Sequence, residues 1–175
     1  MSLLDFIKEI TDQQKDIIYF GGHFNPWHEG HSECLRKCPK DSIKLVIPDH
    51  NPLKQLSNRA LEIDKDRIMS LNDNIHIYTG FFEQQVKNPT VSWLCSISKN
   101  LPDYTHSLLI GYDSYENLSK WKNYNELLDC LSGLYVLNRQ NSATNKLYNI
   151  ATVFLGSHPY ESLSSSSIRD KKSHP

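Results

Sequence analysis

Short, continuous apolar runs alternate along this chain with stretches whose apolar residues recur at helical spacing. Ile17 to Phe20, Ile43 to Ile47, Ile75 to Tyr78, Ser107 to Ile110, Leu134 to Leu137 and Ile150 to Leu155 are predicted to be strands. Between them, Glu29 to Lys37, Asn58 to Leu71, Val91 to Asn100 and Asn123 to Leu131 predict helices, and a further helix opens the chain around Ser2 to Ile10. Strands that are apolar throughout, rather than at every second position, are buried on both faces, as in parallel sheets. The expected fold is therefore α/β: a Rossmann-like doubly wound parallel sheet of five to six strands with helices on both faces. No internal repeat or linker breaks the chain. One domain over residues 1–175 is expected, with 1–15 as an extra helical segment and 17–170 as the body. Ligands of such sheets sit beyond the carboxyl ends of the strands, where the strand order reverses.

The end of the first predicted strand carries the most distinctive chemistry. Ile17-Ile18-Tyr19-Phe20 runs into Gly21-Gly22-His23-Phe24-Asn25-Pro26-Trp27 and then into His28-Glu29-Gly30-His31 at a helix start. Two glycines without side chains let the backbone turn there and bring its amides close to an anion, and the positive end of the helix dipole adds to the attraction. His28 and His31, three positions apart, are expected on one helix face with both imidazoles directed at one phosphate. The spacing excludes the zinc-protease pattern, whose histidines are four apart around a glutamate, and no G-x-G-x-x-G follows the strand. A zinc site from His28, His31, Cys34 and Cys38 is disfavoured because one straight helix cannot wrap four ligands tetrahedrally. The alternative without chemistry is a pair of helix-capping histidines.

Composition narrows the class. The 175 residues carry a net charge of -1, with 38% hydrophobic and 22% charged residues, which suits a globular domain and gives no basic surface for nucleic acid. The N-terminus lacks a basic lead and its apolar stretch is broken by charges, so no secretory signal is expected, and no run is long enough to span a membrane. Cys34, Cys38, Cys95 and Cys130 form no C-x-x-C pair, which suits reduced thiols and a cytoplasmic location.

The run from Gly21 to His31 resembles the GGxFNPxHxGH signature of the nucleotidyltransferase superfamily that uses a His-x-x-His pair, and it looks most like the nicotinate-nucleotide adenylyltransferases. Leu163-Ser164-Ser165-Ser166-Ser167-Ile168-Arg169 resembles the second signature of that family, I-S-S-T-x-I-R. Leu109-Ile110-Gly111-Tyr112-Asp113-Ser114 followed by Lys120-Trp121 resembles its strand-end G-x-D element and the K-W beyond it. The resemblance implies adenylyl transfer from ATP to nicotinate mononucleotide, with pyrophosphate leaving and magnesium bridging the triphosphate.

It also assigns residues. His28, His31 and Arg169 are the implied catalytic groups. Gly21, Gly22, His23, Phe24, Lys54, Gly111, Asp113, Ser165 and Ser166 are implied to bind ATP and its phosphates, and Asn25, Thr90 and Trp121 the mononucleotide, with no metal held by the chain itself. Asp113 would accept from ribose hydroxyls, and Trp121 would offer a flat face to the pyridine ring; taken alone, Asp113 reads as a helix cap, Trp121 as an ordinary aromatic and Thr90 as the cap of the helix after it. The chain departs from the family pattern at Pro89 and Ser92, where tyrosine and aspartate are usual, at Gln140-Asn141 after Arg139, and at His23, where Thr or Ser is common. Nicotinamide mononucleotide, a pantetheine-phosphate or cytidylyltransferase-like acceptor, and a non-catalytic nucleotide sensor are the competing readings. A sensor would keep the glycines and lose the histidines. Family members continue further beyond the I-R pair, and the opening helix is expected to pack on the sheet and cover apolar surface there.

Overall fold

The computed structural model describes residues 1–11, 14–24, 26–50, 63–84, 88–138 and 144–160. Among them, six strands form one sheet: β1 (Asp16–Gly22), β2 (Ile43–Pro48), β3 (Ile75–Ile77), β4 (Thr105–Gly111), β5 (Gly133–Leu137) and β6 (Thr152–Phe154). Their order is β3-β2-β1-β4-β5-β6, and every neighbouring pair is parallel. This is the doubly wound order, and its reversal point falls between β1 and β4.

The helices are α1 (Leu3–Ile10), α2 (Glu29–Lys37), α3 (Lys65–Met69), α4 (Gly80–Glu83), α5 (Thr90–Asn100), α6 (Tyr112–Glu116) and α7 (Tyr124–Asp129), with a 3-10 turn at Leu118–Lys120. Of the expected helix Asn58 to Leu71, positions 58–62 lie outside the described residues; among the rest the helix is α3, which Asp64 starts by accepting from Arg67 N at 3.0 Å. The expected strand Ile150 to Leu155 shortens to β6 because β5 offers pairing only from Leu134 to Val136. The one-turn helices α4 and α6 were not expected: four or five residues cannot display a helical period.

Alternate residues of each strand feed two cores. Tyr19, Leu45, Leu108, Ile110, Leu134 and Val136 face α1, α5 and α7, whereas Ile18, Phe20, Val46, Ile75 and Leu109 face α2 and α3. On the first face, Ser2 caps α1 by accepting from Asp5 N at 3.2 Å, and the helix buries Leu3 and Ile7 while Phe6 lies 5.5 Å from the Tyr78 ring. The expected packing of the opening helix on the sheet is thus observed. His106 is an internal strut: its Nδ1 accepts from the Tyr19 hydroxyl at 2.9 Å, its Nε2–H donates to Leu101 O at 2.9 Å, and burial keeps it neutral by lowering its pKa.

The cysteines correct one expectation. Cys95 on α5 and Cys130 after α7 form a disulfide, with Cα atoms 5.2 Å apart across a sequence separation of 35. Spacing gave no hint of it, because the bond depends on two helices that come together only in the fold. Cys34 and Cys38 are free and buried; their thiols donate to the carbonyls of Gly30 and Cys34, and burial pushes both up to about 12. Among the described residues no helix is long and apolar enough to cross a membrane.

Candidate active site

A cleft of about 1030 Å³ opens at the carboxyl ends of β1 and β4, where the strand order reverses. Its floor corrects the expected glycine turn. Gly21 and Gly22 still belong to β1, in register with Ile47 and Pro48 of β2, and the chain turns two residues later at Phe24, whose φ is 45°. That left-handed conformation is uncommon for a bulky residue and costs roughly 1–3 kcal/mol. Burial of the Phe24 ring against Phe20, Trp27 and His31, with centroids 4.8, 5.2 and 4.9 Å away, offsets it. Gly22 is required for a different reason from the expected one: a Cβ there would meet the Phe24 ring at 2.8 Å. A Cβ on Gly21 would meet nothing within 4 Å, so that backbone lies open toward the cleft.

His28 also differs from expectation. It stands before α2 as its N-cap residue, in extended conformation with φ -143° and ψ 169°. From there its ring stacks on that of His31, with centroids 3.6 Å apart and planes at 24°. His31 Nδ1 accepts from the His28 backbone N–H at 3.3 Å, which leaves the ring proton on Nε2. His28 Nδ1 is buried with no hydrogen-bond partner. Burial holds the His31 pKa down to about 3 and lowers that of His28 too, so both rings are neutral donors. Neutrality is what permits so close a stack, since two imidazolium rings at this distance would repel strongly. Glu29, next to His28, pairs with Arg36 of α2 and with Arg67 of α3 at 3.0 Å, fixing the start of α2 against its neighbour.

Across the reversal point, Gly111 caps α6 and Asp113 lies in the first turn of that helix, so Asp113 is not itself the cap. Trp121 ends the 3-10 turn, its N–H donating to Leu118 O at 3.0 Å, and its partly buried ring joins the cleft wall. Thr90 is the first residue of α5 rather than its cap; Pro89 stands at the cap position, with φ -56° and ψ 134° and no side-chain cap hydrogen bond. His28, His31, Gly21, Gly22, His23, Phe24, Thr90, Gly111, Asp113 and Trp121 therefore all line one cleft. Asn25, Lys54, Arg139, Ser165, Ser166 and Arg169 lie outside the described residues.

A family model described as cytidylyltransferase-like matches residues 19–171. The chain belongs to the cytidylyltransferase-like family. It is a nucleotidyltransferase, and its relatives include proteins named probable nicotinate-nucleotide adenylyltransferases. A probable nicotinate-nucleotide adenylyltransferase of Fusobacterium nucleatum is 30% identical over 169 residues, 89% of this chain and 86% of that protein. The one from Flavobacterium psychrophilum is 29% identical over 163 residues, 87% of this chain and 83% of its own length. In fold, the chain is similar to the nicotinic acid mononucleotide adenylyltransferase of Plasmodium falciparum complexed with APC, with a TM-score of 0.69 at 18% identity, covering 90% of this chain and 83% of that one.

This family member carries a second polar group in the cleft that sequence reasoning passed over. Asp49 Oδ1 accepts from His50 N at 2.7 Å and from Asn88 Nδ2 at 3.4 Å, while His23 Nδ1 lies 3.2 Å from Asp49 O. Burial pushes the Asp49 carboxyl up to about 6. The signal available was position: two polar residues directly after a strand whose every residue is buried. Asp49 and His31 respond to acid in opposite senses. Between 6.5 and about 3 the unfolded chain binds a proton that folded His31 refuses, so stability falls as pH drops through that window. Between about 6 and 3.8 folded Asp49 binds a proton that the unfolded chain releases, so its contribution rises as pH drops. Thermal melts across this range are expected to show a shallower acid loss for His31→Gln and a steeper one for Asp49→Asn; unchanged slopes would dismiss both assignments.

Proposed function

We infer that this nucleotidyltransferase moves the adenylyl group of ATP onto the phosphate of nicotinate mononucleotide, giving nicotinate adenine dinucleotide and pyrophosphate. The observation that carries the reading is the stacked, neutral His28/His31 pair at the start of α2, facing the end of β4 across the sheet's reversal point. The acceptor phosphate attacks the α-phosphorus, the bond to the β-phosphate oxygen breaks, and the electron pair leaves with pyrophosphate. No side-chain nucleophile takes part. Catalysis then consists of aligning two anions that repel each other and stabilising the charge that grows on the phosphoryl oxygens.

In this reading the Nε2–H donors of His28 and His31 hold phosphoryl oxygens, aided by the positive end of α2. The open backbone at Gly21 and Gly111 lets the nucleotide lie close to the strand ends. Asp113 accepts from ribose hydroxyls, and Trp121 stacks on the pyridine. Arg169, Lys54, Ser165 and Ser166 bind the triphosphate tail, and Asn25 and Thr90 the mononucleotide. Asp49 and Asp113 reach the cleft from separate elements, and no group of three metal-ligating side chains occurs among the described residues. Asp49 and Asp113 are the carboxylates on hand there, and magnesium brought in with the triphosphate would supply neutralisation of phosphate charge.

The direct test incubates the purified protein with ATP and either nicotinate or nicotinamide mononucleotide, following dinucleotide and pyrophosphate together. Equimolar formation with the nicotinate form is expected; no dinucleotide from either would overturn the reading. Within the same assay, Trp121→Ala is expected to raise the KM for the mononucleotide by about tenfold, because base–aromatic stacking contributes roughly 1–3 kcal/mol. The KM for ATP should stay nearly unchanged, and a shift confined to ATP would place the pyridine elsewhere.

A further inference from the structure

We propose that His158 is a third phosphate-binding imidazole of this site, brought to the His28/His31 pair from the far half of the sheet. Beyond β6 hydrogen bonds among the described residues anchor the chain: Leu155 N donates to Val136 O at 2.8 Å, Lys37 Nζ to Leu155 O at 3.4 Å, Gly156 N to Asn138 Oδ1 at 3.0 Å, and Asn138 N to Gly156 O at 3.1 Å. Gly156, with φ 77°, then turns the backbone in a conformation that an L side chain would strain. The turn carries His158 over the start of α2.

Two features define its chemistry there. His158 Nδ1 accepts from Tyr160 N at 3.0 Å, so the neutral ring carries its proton on Nε2 and can donate with it. Its Cε1, which lies between the two ring nitrogens, is 3.4 Å from where a Cβ on Gly30 would stand, and His28 Nδ1 is 3.0 Å from the same point. The two rings therefore meet over Gly30, where a Cβ would press on His28 and stand at ordinary contact distance from His158. All three imidazoles line the cleft at the positive end of α2. His158 is near enough to His28 to add to the lowering of its pKa, after burial.

Three imidazole N–H donors lining one cleft at a helix N-terminus suit a phosphoryl group, and no group of three metal-ligating side chains occurs among the described residues. The proposal rests on the adenylyl-transfer reading, in which two phosphorylated ligands enter this cleft, and either could present the phosphate.

Calorimetric titration of the full chain separates them. A non-hydrolysable ATP analogue, nicotinate mononucleotide and adenosine are titrated into wild type, His158→Ala and His158→Gln, with melts to show that each variant is folded. His158→Ala is expected to weaken one of the two phosphorylated ligands about tenfold, the scale of a hydrogen bond to a charged group, and to leave adenosine unaffected. The ligand that weakens is the one whose phosphate His158 holds. Gln, whose amide nitrogen can stand near the position of Nε2, should retain most of the affinity. If both phosphorylated ligands bind His158→Ala within about twofold of wild type, or adenosine weakens equally, the proposal falls, whatever the turnover assay gives. A wild-type protein that makes no dinucleotide removes the functional reading alone, since the titrations still decide whether His158 holds phosphate.

Discussion

His28→Ala is expected to lower kcat by about 100-fold or more with the fold intact, the loss typical when one preorganised donor to a developing oxyanion is removed. The ring is half-buried and stacked on His31, so its removal also takes that ring contact from His31. Some melting temperature will be lost with that packing. The circular dichroism spectrum should nevertheless be that of wild type, because Ala at a position before the helix breaks no backbone hydrogen bond. The decisive comparison is kcat against KM. A donor that acts chiefly in the transition state lowers kcat, whereas one that only binds ground-state phosphate raises KM. Near-normal kcat in a folded His28→Ala protein would remove His28 from the mechanism.

The second large effect concerns stability. Ile7 is fully buried between α1 and the sheet, in the same core as Tyr19, Leu45 and Leu94. Ile7→Asp places a carboxylate there with no partner, and a cost of several kcal/mol is expected, a large part of the total stability of a domain this size. Ile7→Ala should cost about 2–5 kcal/mol by leaving a cavity. Denaturant unfolding measures both, with the exposed neighbour Glu9→Ala as a control that should change little. Equal midpoints for Ile7→Asp and wild type would show that α1 is detached from the body in solution.

The six strands were legible because each is a nearly unbroken apolar run, and the extent of α2 matched its expected range from Glu29 to Lys37 because its buried residues recur at helical spacing. What escaped sequence reasoning depended on contacts between distant positions. The disulfide joins Cys95 on α5 to Cys130 just beyond α7, the Asp49 carboxyl is raised by burial that only the folded cleft supplies, and His158 reaches its place through a turn set by Gly156. The histidine motif was recognised, but its geometry was not. A spacing of three suggests two residues inside one helix, whereas the extended backbone at His28 puts that residue outside it and turns its ring onto His31. Likewise the glycine pair was read as the turn itself, when the turn is made by Phe24.

Phe24 and Gly22 fit each other closely enough to behave as one heritable unit. Enlarging position 22 alone drives a methyl into the phenyl ring at 2.8 Å. Shrinking position 24 alone leaves a hole among Phe20, Trp27 and His31. Each single step is therefore penalised, and an alternative pairing is reached only by changing both at once. The loop that leads to the two histidines is thereby protected from gradual drift, and a library randomising either residue by itself should return the starting residue, while a joint library could uncover a different solution.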